Sequence, residues 1–374
     1  MTLTLKGITW DHPRGYQPLI ACSTVYEADH DVRITWEWRS LKDFGDQPID
    51  QLAATYDLLV IDHPHTGLAA ATGCLTPFDN HLSASTLGEL AAQSAGESHA
   101  SYTYYGSQWA LALDAACQVA VYRADLIEQP ALDTWEAVVR LGETVRQRGR
   151  TIAHPLGATD AICSFITLCA SLGEPVGISD GLVSKTVGAS ALNLLQAIAR
   201  VSHPESVNWN PIALLDYMSN HDDVVYSPLT FGYTNYSRAG YAPHRLTFTT
   251  IPGIRGSILG GTGLAVSSRC QHPQPAADFS AWLCSAPVQA GPYVRAGGQP
   301  ANRAAWEDAE ANALTGDFFR NTLPTLDAAG VRPRHHGFTT FQAAAGVVIN
   351  AYLRDATSTQ DCLATLSALY DGHR

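Results

Sequence analysis

YDLLVIDHPHTG, Tyr56 to Gly67, is the stretch on which the fold turns. Its first half, YDLLVID, is apolar without alternation, which predicts a strand buried on both faces. Its second half is an acid, an imidazole, a proline and a glycine, a phrase suited to a tight turn. The same phrase appears earlier. LTLKGITW (Leu3–Trp10) alternates like a strand and runs into WDHPRG (Trp10–Gly15). Between the two copies, LIACSTVYEAD has helical spacing and DVRITWEW (Asp31–Trp38) is β-branched and aromatic, a second strand. PIDQLAATY is a short helix with Asp50 near its start. Strand, helix, strand, helix, strand predicts an α/β fold with a parallel sheet.

Further on, GCLTPFDNHL reads as a loop that re-enters the fold, and Gly106–Ile127 as two adjoining strands. DTWEAVVRLGETVRQRG (Asp133–Gly149) is a helix, capped by Asp133 or Thr134, with Glu136 in a capping box and Gly149 at its end. TIAHPLGATDAICSFITLCASLG repeats the strand, His-Pro-Gly turn and helix. SALNLLQAIARVS is helical, and Asn208–Asp216 leads into another helix. DDVVYSPLTFGYTNY places a short strand before an aromatic loop, and TFTTIPG is a further strand. SILGGTGLAVSS (Ser257–Ser268) reads as a glycine-rich turn feeding a strand, and AADFSAWLCS as a helix. From Asp317 the chain is mostly helical, broken by RPRHHG (Arg332–Gly337). With no low-complexity segment, tandem repeat or long linker, two domains would share several crossings of the chain.

Length and composition agree with a soluble globular protein of one or two domains: 374 residues, 46% hydrophobic, 16% charged. The net charge of −12 argues against nucleic acid or an anionic membrane surface as partner. The longest apolar runs are too short to span a bilayer. The opening MTLTLKGITW has no basic region, apolar core or cleavage site, so the chain reads as cytoplasmic as it stands and periplasmic if a leader precedes it. None of the eight cysteines sits in a CxxC pair, and buried free thiols suited to a reducing compartment are the better reading.

In open parallel sheets, ligands bind beyond the carboxyl ends of the strands. WDHPRG and IDHPHTG both fall there, offering Trp10, Asp11, His12, Arg14, Asp62, His63 and His65 to one crevice. The plainer alternative is a strand-stop and helix-cap phrase; two copies, together with HPLGATD (His154–Asp160), favour the crevice. A metal on His12, His63 and His65 is the weaker option, because no HExxH, HxxxH or cysteine ligand set accompanies them. Neither metal nor cofactor is therefore expected. His335–His336 reads as a polar helix-start loop. YTYYGSQW (Tyr102–Trp109) and FGYTNY (Phe231–Tyr236) mix flat rings with hydroxyls and amides, which suits a sugar or an aromatic acid and equally suits a filled seam between lobes. LGGTGLAVSS lacks the P-loop lysine and any GxGxxG, so a close backbone approach to a ligand or a neighbouring strand is expected. No GxSxG elbow, kinase set or paired catalytic acids occur.

Taken together, YDLLVIDHPHTG leading to GCLTPFDNHL, then WALALDAACQVAVYRADLI followed by DTWEAVV, GGTGLAVSS, the AADFSAWLCSAPVQAGPYVRAGGQPANRAAWED segment and FFRNTLPTLDAAGVRPRHHGFTTFQ resemble the extracellular solute-binding proteins of ABC importers, carbohydrate type. The WDHPRG opening looks like a distinctive, leaderless subgroup. The resemblance implies the type II periplasmic-binding fold: two lobes, each a mostly parallel sheet flanked by helices, with a ligand cleft between them that closes about a hinge. The lobes would be residues 1–108 with 254–330, and 109–253, with 331–374 as C-terminal helices packing across both. It carries over Trp10, His12 and Arg14 after strand one, Asp62 and His63 after the third strand, Trp109 and Asp114, and less securely Tyr233, Tyr236, Gly260, Gly261 and Arg295. The implied function is capture of a small polar ligand, a sugar or a hydroxylated or aromatic acid, for an importer whose permease subunits would be partners. Trp10 and Trp109 would stack on the ligand, Arg14 would pair with a carboxylate or bridge hydroxyls, and Asp62, His63 and Asp114 would hydrogen-bond it. The alternative is a cytosolic lyase, isomerase or dehydratase on the same fold, with His12 or His63 as base, oriented by Asp11 or Asp62.

Overall fold

The apolar run at Tyr56 does become a doubly buried strand, and the elements on either side follow from it. The computed structural model describes residues 2–178 and 181–374. Strand β1 (Leu3–Trp10) turns into helix α1 (Pro13–His30), which has proline in its first turn and ends at Asp31 in the left-handed region. Strand β2 (Val32–Arg39) alternates buried and exposed residues, as an edge strand with one wet face does. Helices α2 (Leu41–Asp46) and α3 (Ile49–Ala53) lead to β3 (Leu58–Ile61), all of it buried. A 3₁₀ turn (His63–His65), α4 (Thr66–Thr72), β4 (Leu75–Thr76), α5 (Ala84–Ala92) and the hairpin of β5 (Thr103–Tyr104) and β6 (Ser107–Gln108) precede the long strand β7 (Leu111–Tyr122).

Helix α6 (Trp135–Arg146), capped by Thr134, leads to β8 (Thr151–Ile152), α7 (Ala158–Ser171), α8 (Lys185–Val201) and α9 (Pro211–Asn220). Strands β9 (Val224–Phe231), β10 (Thr247–Thr249) and β11 (Leu259–Ser267) follow. The remainder is helical: α10 (Pro273–Leu283), α11 (Ala286–Val288), α12 (Arg303–Glu307), α13 (Ala309–Leu314), α14 (Phe318–Asp327), α15 (Phe338–Leu353) and α16 (Thr359–Gly372).

The chain divides into two compact units. Unit 1 holds the residues up to Ala116, Gly260–Leu314 and Arg334–Thr339. Its sheet runs β2-β1-β3-β11, with β1 parallel to both β2 and β3, and β11 antiparallel to β3. Successive residues of β3 feed different cores: Leu58 and Val60 join Leu5, Leu19, Cys22 and Phe279, while Leu59 and Ile61 join Ile8, Ile49, Leu52 and Tyr102. Each face of this sheet is thus sealed, which is why the strand reads as an unbroken apolar run.

Unit 2 holds Cys117–Leu259, Thr315–Pro333 and Thr340–Arg374. In it β8 is parallel to β9, while β9 and β10 are antiparallel to β7. The β7–β9 register slips between Val119 and Val121. Pro228 lies on β9 opposite this slip and has no N–H to give the ladder.

One expectation holds and two are corrected. Gly106–Ile127 holds two adjoining strands, the two-residue β6 and the long β7. The DDVVYSPLTF strand is not short but eight residues long. The glycines of LGGTG lie within β11, not in a turn before it. Gly261 has φ +90°, and a β-carbon there would overlap the carbonyl of Asp114, so the close approach expected of this segment is to neighbouring backbone.

Candidate functional site

Because β1 and β3 are adjacent and parallel, with Ile8 paired to Leu59, the WDHPRG and IDHPHTG turns leave the sheet of unit 1 at the same end. In the first turn, Trp10 is 3% exposed. Its indole lies on Gly15, where any β-carbon would come within 2.6 Å of the ring, and tilts against Phe44 at 5.5 Å. The ring keeps next to no exposed surface, so the expected stacking role does not fall to Trp10. Asp11 is exposed, and its N–H donates to the Arg39 carbonyl at 2.7 Å.

His12 caps α1: its Nδ1 accepts the Arg14 N–H at 3.1 Å. Burial and then the neighbouring Arg14 charge lower its pKa to about 3. A ring so reluctant to take a proton is a neutral cap and a poor general base at neutral pH. Arg14 is buried and grips Asp114 with both Nε, at 2.7 Å, and Nη2. Two groups expected to meet a ligand separately therefore meet each other. Burial raises the Asp114 pKa, and the guanidinium's charge and hydrogen bonds oppose that rise.

In the second turn, Asp62 caps the 3₁₀ segment, its Oδ1 accepting the His63 N–H at 2.8 Å and lying 3.2 Å from His63 Nδ1. His63 is fully buried, edge-on to the Tyr102 ring at 6.3 Å, and the Tyr102 hydroxyl donates to the Ile61 carbonyl. His65 is 3% exposed.

Sequence reasoning missed what covers this turn. RPRHHG returns to unit 1, and the Arg334–His335 backbone lies where a side chain on Gly67 would be. Arg334 Nη1 donates to the carbonyls of Ala100, Ser101 and Thr103, and its guanidinium sits over Tyr104 at 5.6 Å. Trp109, half-buried, donates its Nε1–H to the Tyr104 carbonyl at 3.0 Å. Glycine at position 67 was the available signal, since a helix-start glycine without a turn to make implies a close neighbour.

The remaining candidates lie elsewhere. In unit 2, Tyr233 and Tyr236 are buried, and the Tyr236 hydroxyl donates to Asp216 at 2.7 Å. Gly260 and Gly261 belong to β11. Arg295 is a correction: it is 58% exposed and forms a two-pronged surface pair with Glu310 at 2.9 and 3.0 Å, so it already has a solvated partner. The HPLGATD turn precedes α7 in unit 2. There His154 is fully buried with Nε2 2.9 Å from Ser164 Oγ, and burial lowers its pKa to about 3. Burial lifts Asp160, in the first turn of α7, to about 8, against the pull of its own backbone N–H. Among the described residues, no group of three or more His, Cys, Asp or Glu side chains is placed to hold a metal ion.

Comparisons with known proteins bear on this arrangement. A family described as bacterial extracellular solute-binding protein matches residues 24–316. No curated protein matches the chain. Among solved structures, maltose-bound MalE3 of T. maritima is 16% identical with a TM-score of 0.84, over 99% of each chain. A ribitol-bound ABC transporter solute-binding protein from Agrobacterium radiobacter K84 is 18% identical, with a TM-score of 0.78 over 98% of each chain. One from Thermotoga lettingae TMO, bound to α-D-tagatose, is 16% identical, with a TM-score of 0.81 over 98% of each chain. At these identities the likeness speaks for the fold.

Proposed function

Because the chain belongs to the bacterial extracellular solute-binding proteins, we propose that it captures a sugar, a polyol or a hydroxylated acid for an ABC-type importer. The observation that carries the reading is the placement of the repeated acid–imidazole–proline turn at two neighbouring parallel strand ends, in a chain whose whole length follows sugar- and polyol-bound relatives. Asp11, Asp62 and Trp109, which keep exposed surface, are the residues proposed to meet the solute, backed by the buried His12, His63 and His65. Burial holds His12 neutral, so it adds no buried charge to this end of the sheet. Permease subunits are the proposed partners. Among the described residues, no helix is long and apolar enough to cross a membrane.

A thermal-shift panel of maltose, ribitol, tagatose, mannitol and gluconate tests this, followed by calorimetry and NMR of the recovered ligand. One chemical class should raise the melting temperature saturably, bind with one-to-one stoichiometry and come back unchanged. Trp109→Ala should weaken that binding about tenfold, on the scale of a lost aromatic contact. A chemically altered ligand, or no stabilisation by any member of the panel, overturns the proposal.

A further inference from the structure

Strand β2 ends beside β1 at the same end of the unit 1 sheet, with Arg39 directly opposite Trp10 in the register. Both side chains touch one ring: the Arg39 guanidinium lies 5.4 Å from the centre of Phe44, and the Trp10 indole 5.5 Å from it. Arg39 Nη1 is used, donating to the Asp43 carbonyl at 3.1 Å and, at 3.4 Å, to Gln47 Oε1. Its Nε and Nη2 are shut off from solvent and, among the described residues, have no hydrogen-bond partner. The same holds for Trp10 Nε1.

These groups only donate. Nε and Nη2 form the edge with which Arg14 grips the Asp114 carboxylate, so the matching acceptor is a two-oxygen anion. Leaving such donors empty is costly, and the positive end of α1 lies next in the chain to Trp10. Burial weakens the hold of Arg39 on its proton, to about 10, against the pull of Asp43 and Tyr56, yet that still leaves it a cation at neutral pH.

We propose that Arg39 and Trp10 form an oxyanion site at the β1–β2 strand ends, which takes a carboxylate or phosphate through the Nε/Nη2 edge of Arg39 with help from the Trp10 indole N–H. The site deepens the solute-binding reading, and rests on it only for the origin of the anion. Either a free inorganic anion is held there, or the captured solute carries its own acid group, as a sugar acid or sugar phosphate does.

Thermal shift and calorimetry with the whole protein separate these sources. Inorganic phosphate is compared with chloride at equal ionic strength, and D-glucuronate and D-gluconate are compared with D-glucose and sorbitol. Saturable binding of phosphate identifies a free-anion site. Binding of the sugar acids without phosphate identifies the solute's own carboxylate. Either result should weaken about tenfold in Arg39→Lys, which keeps the charge and loses the fork, and vanish in Arg39→Met. Trp10→Phe, which keeps the ring and loses the N–H, should weaken it more mildly. Without any anion, Arg39→Met should melt higher than the parent, because unmatched buried donors are gone. The inference falls if no anion outdoes chloride, or if binding is unchanged in both Arg39 variants. Neutral sugars that still bind in that case leave the solute-binding reading standing.

Discussion

Arg14 and Asp114 show what a single pair contributes and what a sequence conceals. The arginine sits in a turn after the first strand and looks like a fork waiting for a ligand, but the carboxylate that fills the fork lies 100 residues away. Pairing at that separation is set by which strands lie side by side, so spacing along the chain carries no trace of it. Both side chains are almost wholly buried, which decides the energetics. Removing one partner strands the other in a low-dielectric core, at a cost of about 3–5 kcal/mol. Arg14→Met should therefore lower the urea midpoint sharply. The loss should be smaller at pH 4 than at pH 8, since an abandoned Asp114 can escape by taking up a proton. The double variant Arg14→Met, Asp114→Leu should recover most of the stability, as apolar replacement of a whole buried pair does. A double variant no better than Arg14→Met alone would show that the pair itself, and not the orphaned charge, holds this corner of unit 1.

Helix α1 depends on an unusual cap, an imidazole. His12→Asn preserves an acceptor for the Arg14 N–H and should be nearly neutral, whereas His12→Ala should cost about 0.5–2 kcal/mol. The same residue makes the element sensitive to pH. His12 binds its proton near 3 when folded and near 6.5 when unfolded, so between those values the unfolded chain holds more protons and stability falls as the pH drops. Asp160 in α7 works the other way: folded it keeps its proton to about 8, unfolded only to 3.8, so stability falls as the pH rises through that window. Melting temperatures from pH 4 to pH 9 should show His12→Asn flattening the acid limb and Asp160→Asn flattening the alkaline one; profiles parallel to the parent's would refute both assignments. Elements of this kind were legible where local chemistry speaks. Thr134 before α6 and the apolar run of β3 each name their own structure, whereas α1 starts at Pro13, inside the stretch that reads as a turn before LIACSTVYEAD. Legibility failed where the partner decides. The glycines of β11 read as a turn until Asp114 is seen against Gly261.

Over the whole molecule, neither unit is a continuous piece of chain. The path passes from one unit to the other after Ala116, Leu259, Leu314, Pro333 and Thr339. Unit 2 therefore gets its sheet from Cys117–Leu259 but part of its cover from segments much later in the chain. Phe318 of α14 packs edge-on to Phe248 of β10, and Asn350 of α15 donates to the carbonyls of Leu156 and Val207. Gly346 of α15 abuts the Ala158 carbonyl at the start of α7, and Leu363 of α16 lies where a side chain on Gly188 of α8 would be. Phe319, Leu326, Phe341, Ile349, Tyr352 and Leu366 add further buried apolar surface from these late helices. At roughly 25 cal/mol per Å² of apolar surface, uncovering several such side chains outweighs the few kcal/mol by which a domain of this size is stable. The fragment Cys117–Leu259 expressed alone should then be collapsed without fixed packing, giving poor amide dispersion in NMR and no cooperative melt. A covalent fusion that restores 315–333 and 340–374 behind it should recover both. A cooperative transition from the fragment alone would mean that the late helices merely decorate a core that folds without them.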